Sequence, residues 1–284
     1  MPTFLPGAKD AGETEPSIHV TSFAFSNFEV AVLQQVINFW SDIFEAGARP
    51  FFSPVSAYLS LPHLRAFWPI SSVDENATIY DLSGQARTLT YNTTATAGFR
   101  TRNFTPVAVL ASRNNDHLAR AHEAGLDVLA NLSFGLWLKV LAGSAGGMVM
   151  GKSGPAGSLS WHIALENAAG TPRFRFYASA DGTGTIYSER TPATTIATWH
   201  LLLATYDPAG APILYLDGQP PTSPPSGSGL GTLYAAGQPL AIGHANDPGA
   251  GYLDAEVALP FLCAATLTPE TVTQLYATTR ELLP

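Results

Sequence analysis

From about Tyr58 onward the chain is a succession of short apolar or alternating runs separated by turn residues. They are Leu64–Trp68, Val107–Leu110, Ser133–Val140, Ser160–Leu165, Arg173–Ala178, Trp199–Tyr206, Pro212–Leu216, Leu240–Gly243 and Val257–Leu262. Runs this short, rich in β-formers and punctuated at regular intervals, predict an all-β sandwich or barrel rather than a helical or alternating β-α fold. Asp181-Gly182 and Asp217-Gly218 are tight-turn pairs of the kind that close hairpins. Hydrophobic residues make up 46% of the 284 and charged residues only 13%, so a core is affordable and disorder is excluded. The net charge of −8, with no basic cluster, argues against nucleic-acid partners. A single cysteine, Cys263, excludes a disulfide framework and a multi-cysteine metal site, and its setting reads as a buried small hydrophobe.

Before the β-rich part lies an arm, residues 1–57, with one helix expected over about 26–46. Ser26 and Glu29 form a capping box, Phe25 can staple onto Val30, and Gly47 ends the helix. At 100° per residue, Phe28, Val32, Leu33, Val36, Phe39, Trp40 and Phe44 fall within an apolar stripe about half the circumference wide. Docking on a single core needs about 100°. The polar face lacks Lys and Arg, which argues against membrane insertion and leaves the protein's own core or a partner chain. These seven residues are the expected assembly interface, with other copies or other proteins of an assembly as partners. Met1–Gly7 has no basic start or continuous apolar run, so no signal peptide is expected, and the Asn-x-Ser/Thr triplets at Asn76, Asn92, Asn103 and Asn131 read as chance. At the other end, Thr268-Pro269-Glu270 predicts a capped helix whose Val272, Leu275 and Tyr276 bury one face, with Thr273 toward solvent.

In order along the chain, Leu64-Arg-Ala-Phe-Trp-Pro69, Tyr80-Asp-Leu-Ser-Gly84, Asn115-Asp-His-Leu118, Phe134-Gly-Leu-Trp137, Met150-Gly-Lys152, Trp199-His200, Tyr206-Asp207, Leu214-Tyr-Leu-Asp-Gly218, Leu240-Ala-Ile-Gly243 and Leu267-Thr-Pro-Glu270 form a series. This series resembles the laminin-G-like (concanavalin A-like) jelly rolls, over residues 58–284. The resemblance implies a jelly-roll β-sandwich of a kind frequent in extracellular binding proteins and bacteriophage virion proteins. It also implies calcium as the one candidate cofactor, through Asp81, although Ala258 and Leu259 stand where the last strand often carries Asp-Glu. No other cofactor is expected.

Gly146-Gly-Met-Val-Met-Gly151-Lys152-Ser153 matches the phosphate-binding pattern G-x-x-x-x-G-K-[ST] in full. The pattern works only where a helix follows, and Gly154-Pro155-Ala-Gly157 cannot continue one. Met148–Gly151 is therefore expected as a strand and Lys152 as the start of a loop, where Lys152→Ala would change stability by no more than about 0.5 kcal/mol. Asp254 and Glu256 alternate onto one strand face and are the one candidate carboxylate pair, without the third acid of the related glycosidases. The seven histidines show no metal-ligand spacing. Trp161, Tyr177, Tyr187, Tyr234 and Tyr252 could stack on sugars, with the sandwich core as their favoured location. The resulting expectation is a non-enzymatic virion (capsid- or tail-associated) or extracellular surface-assembly component with no catalytic residues. Its jelly roll faces outward and its arm docks. The alternatives are a carbohydrate-binding lectin module contacting surface glycans, then a glycoside-active enzyme.

Overall fold

The computed structural model describes residues 52–70, 77–102, 105–168, 171–190, 197–246 and 251–283. The expected helix over 26–46 and its assembly interface lie outside these residues. The described part opens with α1 (Phe52–Leu59), then β1 (Leu64–Phe67), β2 (Thr78–Ile79), β3 (Leu89–Asn92), β4 (Gly98–Arg102), β5 (Thr105–Leu110), β6 (His117–Arg120) and β7 (Leu132–Val140). It continues through β8 (Gly146–Ser153), β9 (Leu159–Ala168), β10 (Thr171–Ala178), β11 (Ile186–Arg190), β12 (Trp199–Tyr206), β13 (Ile213–Leu216), β14 (Leu240–Ile242) and β15 (Ala255–Cys263), and closes with α2 (Pro269–Thr279).

Two antiparallel sheets result, as the resemblance implies. A seven-stranded sheet has the order β13-β12-β7-β15-β5-β4, with β1 paired to β15; an eight-stranded sheet has the order β11-β10-β9-β8-β14-β6-β3-β2. In the first, β15 is the spine. One of its edges is held along its length by β7, and the other is shared between β5, at Ala255–Val257, and β1, at Phe261–Cys263. Pro260 can give no ladder hydrogen bond, and the pairing with β7 shifts register between Ala258 and Phe261. The Pro260 carbonyl instead accepts from the Trp68 N–H at 2.9 Å.

The inter-sheet core is aromatic at its centre: Phe134 lies 4.4 Å from Trp161 and 5.4 Å from Phe176, the latter edge-on. A second core covers the outer face of the seven-stranded sheet. There Val107, Trp137, Leu201, Leu203, Tyr215 and Phe261 pack beneath Tyr58 of α1 and Val272 and Leu275 of α2. Tyr58 stacks on Phe67 at 4.7 Å, and the Trp137 indole N–H donates to Thr279 Oγ1 at 3.0 Å. α2 begins as its sequence predicts: Thr268 caps it, accepting from the Thr271 N–H at 3.3 Å, and Pro269 follows. Thr273 is exposed, and its hydroxyl also donates to the Gly218 carbonyl at 3.2 Å. The boundary expected between residues 57 and 58 falls inside α1, whose Val55 and Tyr58 are buried with the sandwich.

Asp81 fixes the D-x-S-G turn. Its carboxylate oxygens accept from the N–H groups of Phe67 (2.9 Å), Ser83 (2.8 Å) and Arg87 (3.0 Å), and from the Ser83 hydroxyl (2.8 Å). At the other turn signals, Asp181 Oδ1 accepts from the N–H groups of Thr183 and Gly184. Asp217 and Gly218 both have positive φ, as a type I′ turn requires.

The second core makes α2 integral to the module. Leu275→Ala, which empties a site only 2% exposed, should cost about 2–5 kcal/mol in urea unfolding, whereas Gln274→Ala on the exposed side should stay within about 0.5 kcal/mol. Equal, negligible effects would mean that α2 is not docked.

Candidate functional site

The phosphate-loop pattern is a strand from end to end. Gly146–Ser153 is β8, pairing with β9 from Gly146↔Glu166 to Ser153↔Leu159, so its backbone runs in a ladder and cradles no anion. Lys152 is not the start of an exposed loop, and this corrects the sequence expectation. It stands opposite Trp161 on the core side of the sheet and is fully buried. Its ammonium is ion-paired with Asp127 and lies 3.3 Å from His122 Nδ1. A lysine can be buried here because the loop before β7 delivers a carboxylate to it.

The two strand acids are likewise committed. Glu256 is 1% exposed and forms a two-pronged pair with Arg102, with Arg100 at 3.6 Å and Lys139 at 3.9 Å. Asp254 accepts from the Ser112 N–H at 2.8 Å and the Ser112 hydroxyl at 2.6 Å. Burial pushes the Cys263 thiol up to about 12, which leaves it unreactive as a nucleophile at neutral pH. Among the described residues no three His, Cys, Asp or Glu side chains gather into a metal-ligating cluster. Asp81, the candidate calcium ligand, spends both oxygens on the turn.

What remains is the outer face of the eight-stranded sheet, which no helix of the described residues covers. Along β9 and β10, Trp161, Ile163, Leu165, Phe174 and Phe176 enter the core, so His162, Glu166, Arg173, Arg175 and Tyr177 take the outside by strand alternation. One row crosses the sheet in register: Ala119, Ala241, Gly151, His162, Tyr177 and Tyr187. At about 4.8 Å per strand, His162, Tyr177 and Tyr187 form an aromatic wall about 10 Å wide; of their small neighbours in the row, Ala241 and Gly151 are buried and Ala119 is half-buried. Gly151 has to be glycine, because a Cβ there would come within 2.3 Å of the His162 Cβ on the neighbouring strand.

The wall is held by a charge lattice. Arg175 Nε donates to Glu189 (2.6 Å) and its Nη1 to Glu166 (2.9 Å) and to the Tyr177 hydroxyl (3.1 Å). Arg173 Nε donates to Glu166 at 3.2 Å, and the Tyr177 hydroxyl donates to the other Glu166 oxygen. The Arg175 guanidinium lies 4.4 Å over the Tyr187 ring. Two arginines and two glutamates leave the lattice neutral. Burial would raise the Glu166 carboxyl, but the Tyr177 hydroxyl, Arg175 and Arg173 hold it below the ordinary carboxylate range. Burial pushes the His162 imidazole down to about 4, so it is neutral at pH 7.

A second aromatic group involves residues far apart in sequence. His244 stacks on Tyr252 at 3.9 Å, with His117 5.5 Å from His244 and 5.8 Å from Tyr252. Of the five aromatics considered from sequence, Trp161 is in the core as expected. Tyr177, Tyr187, Tyr234 and Tyr252 are only half-buried, which corrects their assignment to the core. The signal was present in Arg173-Phe-Arg-Phe-Tyr177, where period-two alternation sends the phenylalanines and the tyrosine to opposite faces.

The buried pair generates a test. Removing one partner leaves an uncompensated charge, so Lys152→Ala and Asp127→Asn should each lower stability by about 3–5 kcal/mol in urea unfolding. A change within about 0.5 kcal/mol for both would contradict the buried ion pair.

Among solved structures the chain is similar to the receptor binding domain of botulinum neurotoxin C/D mosaic serotype, with 11% identity and a TM-score of 0.56 over 76% of this chain and 51% of that one. It is also similar to the binding domain of Paraclostridial Mosquitocidal Protein 1 (12%, TM-score 0.57, 75% and 52%). A third is the binding domain of botulinum neurotoxin DC in complex with SialylT (10%, TM-score 0.55, 78% and 52%). The chain spans about half the length of these solved chains. At such identities the likeness is one of fold. No curated protein sequence matches the chain. The family model described as the concanavalin A-like lectin/glucanases superfamily matches residues 112–273, more than half of the sequence. With its two packed antiparallel sheets, the chain belongs to that superfamily, through its laminin-G-type model.

Proposed function

We infer that this chain is a non-enzymatic binding module whose outer eight-stranded face holds a glycan. One observation carries the reading: the row His162, Tyr177 and Tyr187, fixed by a neutral lattice, lies on the face that no helix of the described residues covers. Aromatic rings with polar edges suit sugars, which present apolar faces and hydroxyl rims. A surface with its charges already paired favours an uncharged ligand. The commitment of Asp254 and Glu256 to Ser112 and the Arg102 group speaks against glycoside hydrolysis. The solved chains with this fold include a receptor binding domain and other binding domains, which is consistent with the reading.

The setting we propose is a virion surface or extracellular assembly, with the jelly roll outward and the arm attaching it. That part rests on the sequence of residues 28–44 and the module's resemblance, and the arm lies outside the described residues. An extracellular lectin module is the alternative, with the same face in use.

A glycan array tests the binding reading. The full chain should retain at least one neutral glycan, and Tyr187→Ala should weaken that binding about tenfold, the equivalent of 1.4 kcal/mol. Gln274→Ala, exposed on α2 over the other sheet, should leave it unchanged. An array without a hit, or a hit indifferent to Tyr187→Ala, would overturn the reading.

A further inference from the structure

α1 packs on α2, and a groove of about 240 Å³ runs between them, lined by Ala57, Ser60, Leu61, Thr271, Gln274 and Leu275. Next to the groove-lining Ser60 is Leu59, at 46% the one exposed large hydrophobic side chain among the described residues. Residues 1–51 lie outside the described part and lead directly into Phe52, the first residue of α1. Their expected helix, residues 26–46, is joined to α1 by a link of only residues 47–51. Helices joined by so short a link lie side by side and antiparallel.

We propose that residues 26–46 dock in cis on α1, across Leu59 and the groove between α1 and α2, as a further helix of the outer layer. Equal rise along two antiparallel helices sets Phe39 at the level of Leu59. At 100° per residue, Phe28, Phe39, Val32, Ile43 and Val36 fill one half of the apolar stripe, and Trp40, Leu33, Phe44, Ile37 and Val30 the other. The first half faces α1. Because one docking surface uses only about 100° of the circumference, the second half remains for an assembly partner. The lengths agree: α1 spans about 12 Å and residues 26–46 about 31 Å, so the far half overhangs α1. The inference is independent of what the opposite sheet face binds.

The test uses the full chain carrying Phe39→Cys with Leu59→Cys, oxidised at low micromolar concentration; native Cys263 is buried. The expected product is a monomer with an intramolecular disulfide, formed at least ten times faster than in the pair Asn38→Cys with Leu59→Cys, where residue 38 is on the polar face. As a second measurement, amide exchange over residues 28–44 should be at least ten times slower in the unsubstituted chain than in Leu59→Glu. Disulfides found only between molecules would assign the groove to a second copy and overturn docking in cis. So would equal rates for the two cysteine pairs, or exchange that ignores Leu59→Glu.

Discussion

The structure depends on one constraint: the seven-stranded sheet is apolar on both faces and has to be covered twice. β12 and β15 are buried at every position, and β7 at all but Lys139. Such strands cannot lie at a surface, because each exposed apolar side chain forgoes about 1.5–3 kcal/mol of burial. The eight-stranded sheet covers one face and α1 with α2 the other. Of the two sheets, the eight-stranded one then keeps an outer face that no helix of the described residues covers. The placement of the candidate site follows from which sheet the helices cap.

Charge is used sparingly and in pairs. Lys152 with Asp127, Glu256 with Arg102, and Arg87 with Glu123 each join segments from different parts of the chain. Asp81 does the same with backbone amides, joining β1 to the turn that leads into β3. These groups supply geometry rather than reactivity: each is already satisfied within the fold. The lattice of Arg173, Arg175, Glu166 and Glu189 differs in lying on the open face, where it stiffens the tyrosines that it touches. Rigid aromatic side chains lose little entropy on contact, which is why such a wall suits recognition.

Much of the fold was legible in the sequence because burial leaves a local trace. The Thr268-Pro269 start, the continuous apolar run of Trp199–Tyr206 and the ordered family motifs all operate within a few residues. Pairing across the sheet leaves no such trace. Nothing near Lys152 announces Asp127, which arrives from 25 residues earlier, so a buried ion pair read as a surface lysine. His117, His244 and Tyr252 meet only because β6 and β14 are neighbours. α1, at eight residues, is too short for its periodicity to stand out. The outward tyrosines were legible, since alternation against Phe174 and Phe176 marks their face. What sequence could not supply was which sheet the helices would leave open.

That asymmetry is the central claim, and hydroxyl-radical footprinting with and without the best-bound glycan of the array measures it directly. The account predicts that Tyr177 and Tyr187 are labelled in the free protein and protected by the glycan, while Tyr58, Trp137 and Tyr215 beneath the helices stay unlabelled in both states. Protection confined to the α1–α2 side, with labelling of Tyr177 and Tyr187 unchanged, would contradict it.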